Sequence, residues 1–124
     1  MKNLFPIVLI FISCNVNQSL NVQPDKVYDL LSNSNNNNSV LLDVRTKEEV
    51  IEKKITNSIN IDFYSDSFKD SILRLDKSKT YYVYCRSGRR SLNTVEFMRE
   101  NGFKESYNVD GGIIKWTDSK IPLK

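Results

Sequence analysis

The order of residues predicts an α/β protein built on a mainly parallel sheet. Two continuous apolar or aromatic runs, VLLDV at 40–44 and TYYVYC at 80–85, suit strands buried on both faces. Stretches with apolar residues at helical spacing lie between and after them. The two kinds of segment alternate along the chain, as strand–helix–strand units do. A chain of 124 residues points to a single domain with one ordinary core.

Taken in order, Pro24-Asp25 followed by KVYDLL opens a helix with Val27, Leu30 and Leu31 on one face. SNSNNNNS is a low-complexity polar loop, read as a tolerated surface insertion. The strand at 40–44 ends in Asp43-Val44-Arg45. Thr46 is placed to cap a short helix through KEEVIEKK, with Glu49 where a capping box puts its carboxylate. SINI at 58–61 is a second short strand, and Ser65 to Leu75 an amphipathic helix carrying Phe68, Ile72, Leu73 and Leu75. After the strand at 80–85, Ser91 to Glu100 sets Leu92, Val95 and Met98 on one face and closes on Asn101-Gly102. Glu105 to Val109 is a fourth strand, Asp110-Gly111-Gly112 a turn, and Ile113, Ile114 and Trp116 lie on a last short helix, with Trp116 expected in the core. Tyr81, Tyr82 and Tyr84 are expected to alternate across the sheet.

Composition removes most kinds of chemistry. With no histidine there is no Ser-His-Asp triad, no Cys-His pair and no histidine metal site. Two cysteines, Cys14 and Cys85, fall short of a four-thiolate site, so no metal or organic cofactor is expected. A formal charge of +3, evenly spread and without basic-aromatic interleaving, gives no case for a nucleic-acid partner.

The first residues read as an address. Lys2, an apolar run from Leu4 to Ile12 and then Ser13-Cys14 describe a secretory signal, too short for the span of about 20 residues that a membrane helix needs. The Phe11-Ile12-Ser13-Cys14 end resembles a bacterial lipobox, with Phe11 in place of the usual leucine. The expectation is a lipoprotein-type signal at 1–13, a lipid anchor on Cys14, a flexible tether over 14–23 and a folded domain over 24–124. That arrangement places the domain at the cell envelope on the extracytoplasmic side of a membrane, or secreted if the signal is an ordinary one. Cys85 is then the only free thiol of the mature chain, without a disulfide partner in an oxidising compartment.

The stretch YCRSGRRS, residues 84–91, sets that thiol among Arg86, Arg89 and Arg90 at the end of the strongest strand. Inert buried cysteines sit among apolar residues, not guanidinium groups. In open α/β sheets ligands gather at the carboxyl ends of strands. Here Arg86-Ser87-Gly88 is expected to be a turn whose amides form an anion-binding nest before a helix N-terminus. Nearby arginines and amides are expected to lower the Cys85 pKa and expose a thiolate nucleophile.

CRSGRRS resembles the active-site loop of the rhodanese-like sulfurtransferases. Leu42-Asp43-Val44-Arg45 with Glu48-Glu49, the Ile59-Asn60-Ile61 strand, and Asp110-Gly111-Gly112-Ile113 leading to Trp116 fit the same family in the same order, spanning about residues 25–124. Where that family has a Gly-His-Ile-Pro-Gly-Ala type stretch, this chain reads Lys53-Lys54-Ile55-Thr56-Asn57-Ser58. The resemblance implies a rhodanese-like α/β fold with helices on both faces of a central sheet. It implies sulfur transfer through a Cys85 persulfide, with a small anionic donor such as thiosulfate and a cyanide-like, thiol or partner-protein cysteine acceptor. Arg86, Ser87, Gly88, Arg89 and Arg90 form the binding loop. Arg86 and Arg89 are the expected donor ligands, and Arg90 either binds the donor or pairs with a carboxylate. Asp43 and Arg45 are either an ion pair steadying the loop or substrate contacts. Four residues separate Cys85 from Arg90; cysteine phosphatases have one more. The shorter loop therefore favours sulfur over a phosphatase or arsenate reductase, and a non-turnover persulfide carrier is the other alternative.

Overall fold

The computed structural model describes residues 19–33 and 38–124, besides the isolated positions Asn3 and Pro6. Apart from those two positions, the expected signal segment lies outside the described residues, as do Cys14 and the centre of the asparagine-rich loop. The elements run β1 (Asn21–Val22), α1 (Pro24–Asn33), β2 (Ser39–Asp43), α2 (Lys47–Glu52), β3 (Ile59–Asn60), α3 (Phe68–Leu73), β4 (Thr80–Tyr84), α4 (Arg89–Glu100), β5 (Ser106–Val109) and α5 (Gly112–Asp118). The strands form one sheet in the order β1-β5-β4-β2-β3, with every pairing parallel. This is the α/β class that alternating strand and helix patterns predict.

Side-chain alternation in β4 divides the core. Tyr81, Val83 and Cys85 face α3 and α4, meeting Phe68, Ile72, Val95 and Met98. Tyr82 and Tyr84 face the other way, into a cluster with Val27 of α1 and Ile113 and Trp116 of α5. Both faces are thus covered, which is why the central strands read as continuous apolar runs. Trp116 is a core residue, 1% exposed, with its indole N–H donating to the Pro122 carbonyl at 3.0 Å.

Three features differ from the sequence expectation. The stretch 14–23 is not tether to its end, because Asn21–Val22 pairs with β5: the Asn108 N–H donates to the Leu20 carbonyl at 2.6 Å and the Asp110 N–H to the Val22 carbonyl at 2.9 Å. Two residues are too few to display a period-two pattern. The helix expected over 65–75 contracts to Phe68–Leu73. Ser65 and Ser67 bond each other, and the Ser65 hydroxyl accepts from the Ser67 N–H, so local hydroxyl contacts hold this segment in turns. Leu30 stands on the outer edge of α1, 42% exposed, rather than sharing the buried face of Val27.

The topology puts β4 in the middle of the sheet, between β5 and β2. The carboxyl ends of β2 and β4 are level, with Asp43 opposite Tyr84. Val44-Arg45 beyond β2 and Cys85 with its loop beyond β4 therefore emerge at the same end of the sheet.

Candidate active site

Cys85 is the first residue beyond β4 and is 1% exposed. Its Sγ accepts two hydrogen bonds, from the Gly88 N–H at 3.1 Å and from the Ser91 hydroxyl at 3.2 Å. Burial pushes the thiol pKa up. Hydrogen bonds from the Ser91 hydroxyl and from the N–H groups of Ser91, Gly88 and Ser87 outweigh it, so Cys85 titrates below its ordinary value. The lowering expected from the sequence is present, but its leading causes are these neutral donors rather than arginine charge.

The loop's peptide planes explain why so many N–H groups face one way. In a trans peptide the C=O of one residue and the N–H of the next point in opposite directions, and the chain has no cis peptide among the described residues. The Cys85 carbonyl accepts from the Ile113 N–H at 2.9 Å and the Arg86 carbonyl from the Ile114 N–H at 3.2 Å. The Gly88 carbonyl accepts from the Leu92 N–H and from the Asn108 side-chain amide. With these carbonyls tied back, the N–H groups of Arg86, Ser87 and Arg89 are turned away from α5 and Asn108. Such close approach needs glycine: a Cβ on Gly112 would overlap the carbonyl groups of both Cys85 and Arg86. Gly88 turns the loop at φ +107° in the left-handed region.

The charged residues fall into two groups. Arg86 and Arg89 are exposed, and neither takes part in an ion pair among the described residues. Arg86 lines a cleft of about 560 Å³ with Arg45, Glu49, Glu52, Lys53, Ile113 and Ile114. Arg90 is committed, its Nη1 and Nη2 donating to Glu49 Oε1 at 2.7 Å and Oε2 at 2.9 Å. The Arg90 hydrogen bond is the largest cause holding the Glu49 carboxyl down at about 2. Glu49 also closes the predicted capping box with Thr46 at the start of α2.

Asp43 and Arg45 form a buried ion pair. Arg45 Nη2 meets Asp43 Oδ2 at 2.8 Å with both side chains nearly enclosed, and the guanidinium further donates to the Lys53 and Glu49 carbonyls. Burial alone would lower the Arg45 pKa; the Asp43 hydrogen bonds and charge reverse this and raise it. Removing one member of such a pair costs about 3–5 kcal/mol. The segment replacing the Gly-His-Ile-Pro-Gly-Ala type stretch also supports the site, since the Ile55 N–H donates to the Tyr84 hydroxyl, which donates to Ser58. Of the residues the sequence singled out, the structure gathers Cys85 through Arg90 in one loop, buries Asp43, and brings Arg45 to the cleft that Arg86 also lines. It adds Ser91, Glu49, Asn108 and Gly112.

The profile of the rhodanese-like domain matches residues 24–119. The chain belongs to the rhodanese-like domain family. Among relatives, it is 39% identical over 82 residues to YtwF of Bacillus subtilis, whose name proposes a sulfurtransferase; the match covers 66% of this chain and 77% of that protein. Against the Adenylyltransferase and sulfurtransferase UBA4 of Debaryomyces hansenii it is 37% identical over 113 residues, covering 83% of this chain and 25% of that longer protein. This chain therefore spans only about a quarter of the yeast relative. A rhodanese-related protein from Thermoplasma volcanium superposes with a TM-score of 0.72 at 30% identity, over 84% of this chain and 98% of that one. A rhodanese-like domain protein from Staphylococcus aureus gives 0.68 at 31% identity, over 77% and 89%.

Two consequences of this rhodanese-like site are measurable. Ser91→Ala removes the leading donor to Sγ, so the pH at which Cys85 becomes half-reactive towards iodoacetamide is expected to rise; an unchanged midpoint would exclude Ser91 as a thiolate donor. Glu49 has a folded pKa of about 2 against an ordinary 4.5, so its contribution to stability is complete above about pH 4.5 and lost as pH falls towards about 2. Urea midpoints recorded across that range should fall less steeply in Glu49→Gln than in the natural protein, and parallel curves would contradict the assignment.

Proposed function

We propose that the protein is a sulfurtransferase carrying a sulfane sulfur on Cys85. The observation that carries this reading is the thiol itself, at the floor of a loop whose N–H and O–H donors converge on sulfur. Cys85 thiolate attacks the outer sulfur of thiosulfate; the S–S bond forms as the bond to the sulfonate sulfur breaks, leaving Cys85-S-S⁻ and sulfite. In the second half-reaction cyanide or a thiolate takes the outer sulfur, giving thiocyanate or a new persulfide and restoring the Cys85 thiolate. This is covalent catalysis in two displacement steps.

Each part of the loop has a task in that scheme. The N–H groups of Arg86, Ser87 and Arg89, turned by the held carbonyls of Cys85, Arg86 and Gly88, are oriented to stabilise the charge on the outer sulfur, as an oxyanion hole does for oxygen. Arg86 and Arg89, exposed at the rim, are suited to the sulfonate end of the donor. Because Cys85 is 1% exposed, a donor enters the loop with its outer sulfur leading. The commitment of Arg90 to Glu49 weighs against phosphate ester chemistry, for which that guanidinium would be the natural ligand.

Intact-protein mass spectrometry after incubation with thiosulfate is expected to show a gain of one sulfur atom, reversed by cyanide and absent from Cys85→Ser. No gain in fully reduced protein would overturn thiosulfate as donor. A persulfide that cyanide and small thiols leave in place would make the domain a carrier for a partner protein.

We also propose that the domain is held to the extracytoplasmic side of a membrane by lipid on Cys14, on the strength of the charged, apolar and small-residue order that ends there. Metabolic labelling with an alkynyl fatty acid in a bacterial host should mark the protein and spare Cys14→Ser. Label in both, or in neither, would exclude the anchor.

A further inference from the structure

A guanidinium at the edge of an amide nest is well suited to a tetrahedral oxyanion, because its fork meets two oxygens at once. Arg90 stands next in the chain to Ser91, whose hydroxyl meets the Cys85 sulfur. Behind the Glu49 hydrogen bond and charge, the nearby Cys85 thiolate also contributes to raising the Arg90 pKa. Yet the fork is filled by the two Glu49 oxygens, and the Tyr64 ring covers the guanidinium with 5.6 Å from Cζ to its centroid. Glu49 is itself held fast. Its Oε1 accepts from the Thr46 N–H at 3.3 Å and hydroxyl at 3.2 Å, and its carbonyl accepts from Arg45. The helix that carries it, α2, buries none of its residues, so polar contacts at its two ends rather than core packing set its position.

Resting on the sulfurtransferase reading above, we propose that Glu49 is a specificity-determining positioning residue. By occupying the Arg90 fork it leaves the loop to recognise a sulfane sulfur through neutral N–H and O–H donors, and it keeps phosphate-like oxyanions out. Thiosulfate is admitted because its sulfur end enters the loop while its sulfonate stays at the rim with Arg86 and Arg89. Phosphate has no sulfur end to offer, and the Arg90 fork, next in the chain to the Ser91 that bonds the thiol, is already taken.

The test reads anion binding at Cys85 without requiring sulfur transfer. Iodoacetamide alkylation of the thiol is followed in the presence of inorganic phosphate, in the natural protein, Glu49→Gln, Glu49→Ala and Glu49→Ala combined with Arg90→Ala. Freeing Arg90 in the single variants should lower the protective phosphate concentration about tenfold, the size of one charge-assisted contact, and removing Arg90 as well should abolish the gain. The proposal is overturned if phosphate protects the single variants no better than the natural protein, or if the gain survives loss of Arg90. Should Glu49→Ala unfold, Glu49→Gln, which keeps the side-chain length and a neutral oxygen for Thr46, decides the matter, with Glu49→Gln/Arg90→Ala as its control. Since alkylation needs only the thiol, the result stands whether or not thiosulfate forms a persulfide.

Discussion

The site depends on the orientation of two peptide groups. The carbonyls of Cys85 and Arg86 are held by the first amides of α5, and that contact exists because Gly112 carries no side chain. Fixing the carbonyls fixes the opposite N–H groups, which line a concavity that the Ser91 hydroxyl completes. The Gly-Gly turn after β5 and the loop after β4 are therefore one device made from two adjacent strands of the sheet. The central position of β4 matters for the same reason, since only a strand flanked on both sides has one neighbour to brace its loop from behind and another to supply polar support beside it.

That polar support is layered by burial. Asp43 and Arg45 form an enclosed pair that fastens the turn after β2 and the far end of α2. Glu49 and Arg90, part-buried, join α2 to the first turn of α4. Arg86 and Arg89 stay in solvent. Ion pairs gain strength as water is removed, so the two layers nearer the core hold shape while the outermost keeps its charge in solvent. The thiol is tuned mainly by uncharged donors, and its reactivity should be less sensitive to salt than a thiolate that relies on lysine or arginine alone.

Much of this could be read from the residues in order. The aromatic run of β4 is long and unbroken enough to declare a buried strand, and the capping box of Thr46 and Glu49 is a local pattern three residues wide. The cysteine stood out because basic neighbours are foreign to an inert thiol. What stayed hidden depends on folding. Glu49 and Arg90 are 41 positions apart, and no local rule joins them. Ser91 lies six residues after Cys85, and its hydroxyl meets the sulfur only because Gly88 bends the chain back into α4. The strand at Asn21–Val22 is defined by its partner rather than by its own composition.

That short strand is bonded to the site's own support. The Asn108 side-chain amide that braces the Gly88 carbonyl also donates to Asn21 Oδ1 at 2.8 Å. Tension drawn along the chain from its amino-terminal side meets the β1–β5 hydrogen bonds in shear, where several must yield together. The next link in that line of force is Asn108, one contact away from the cradle. Where the chain enters the sheet and where its buried thiol sits are mechanically a single seam.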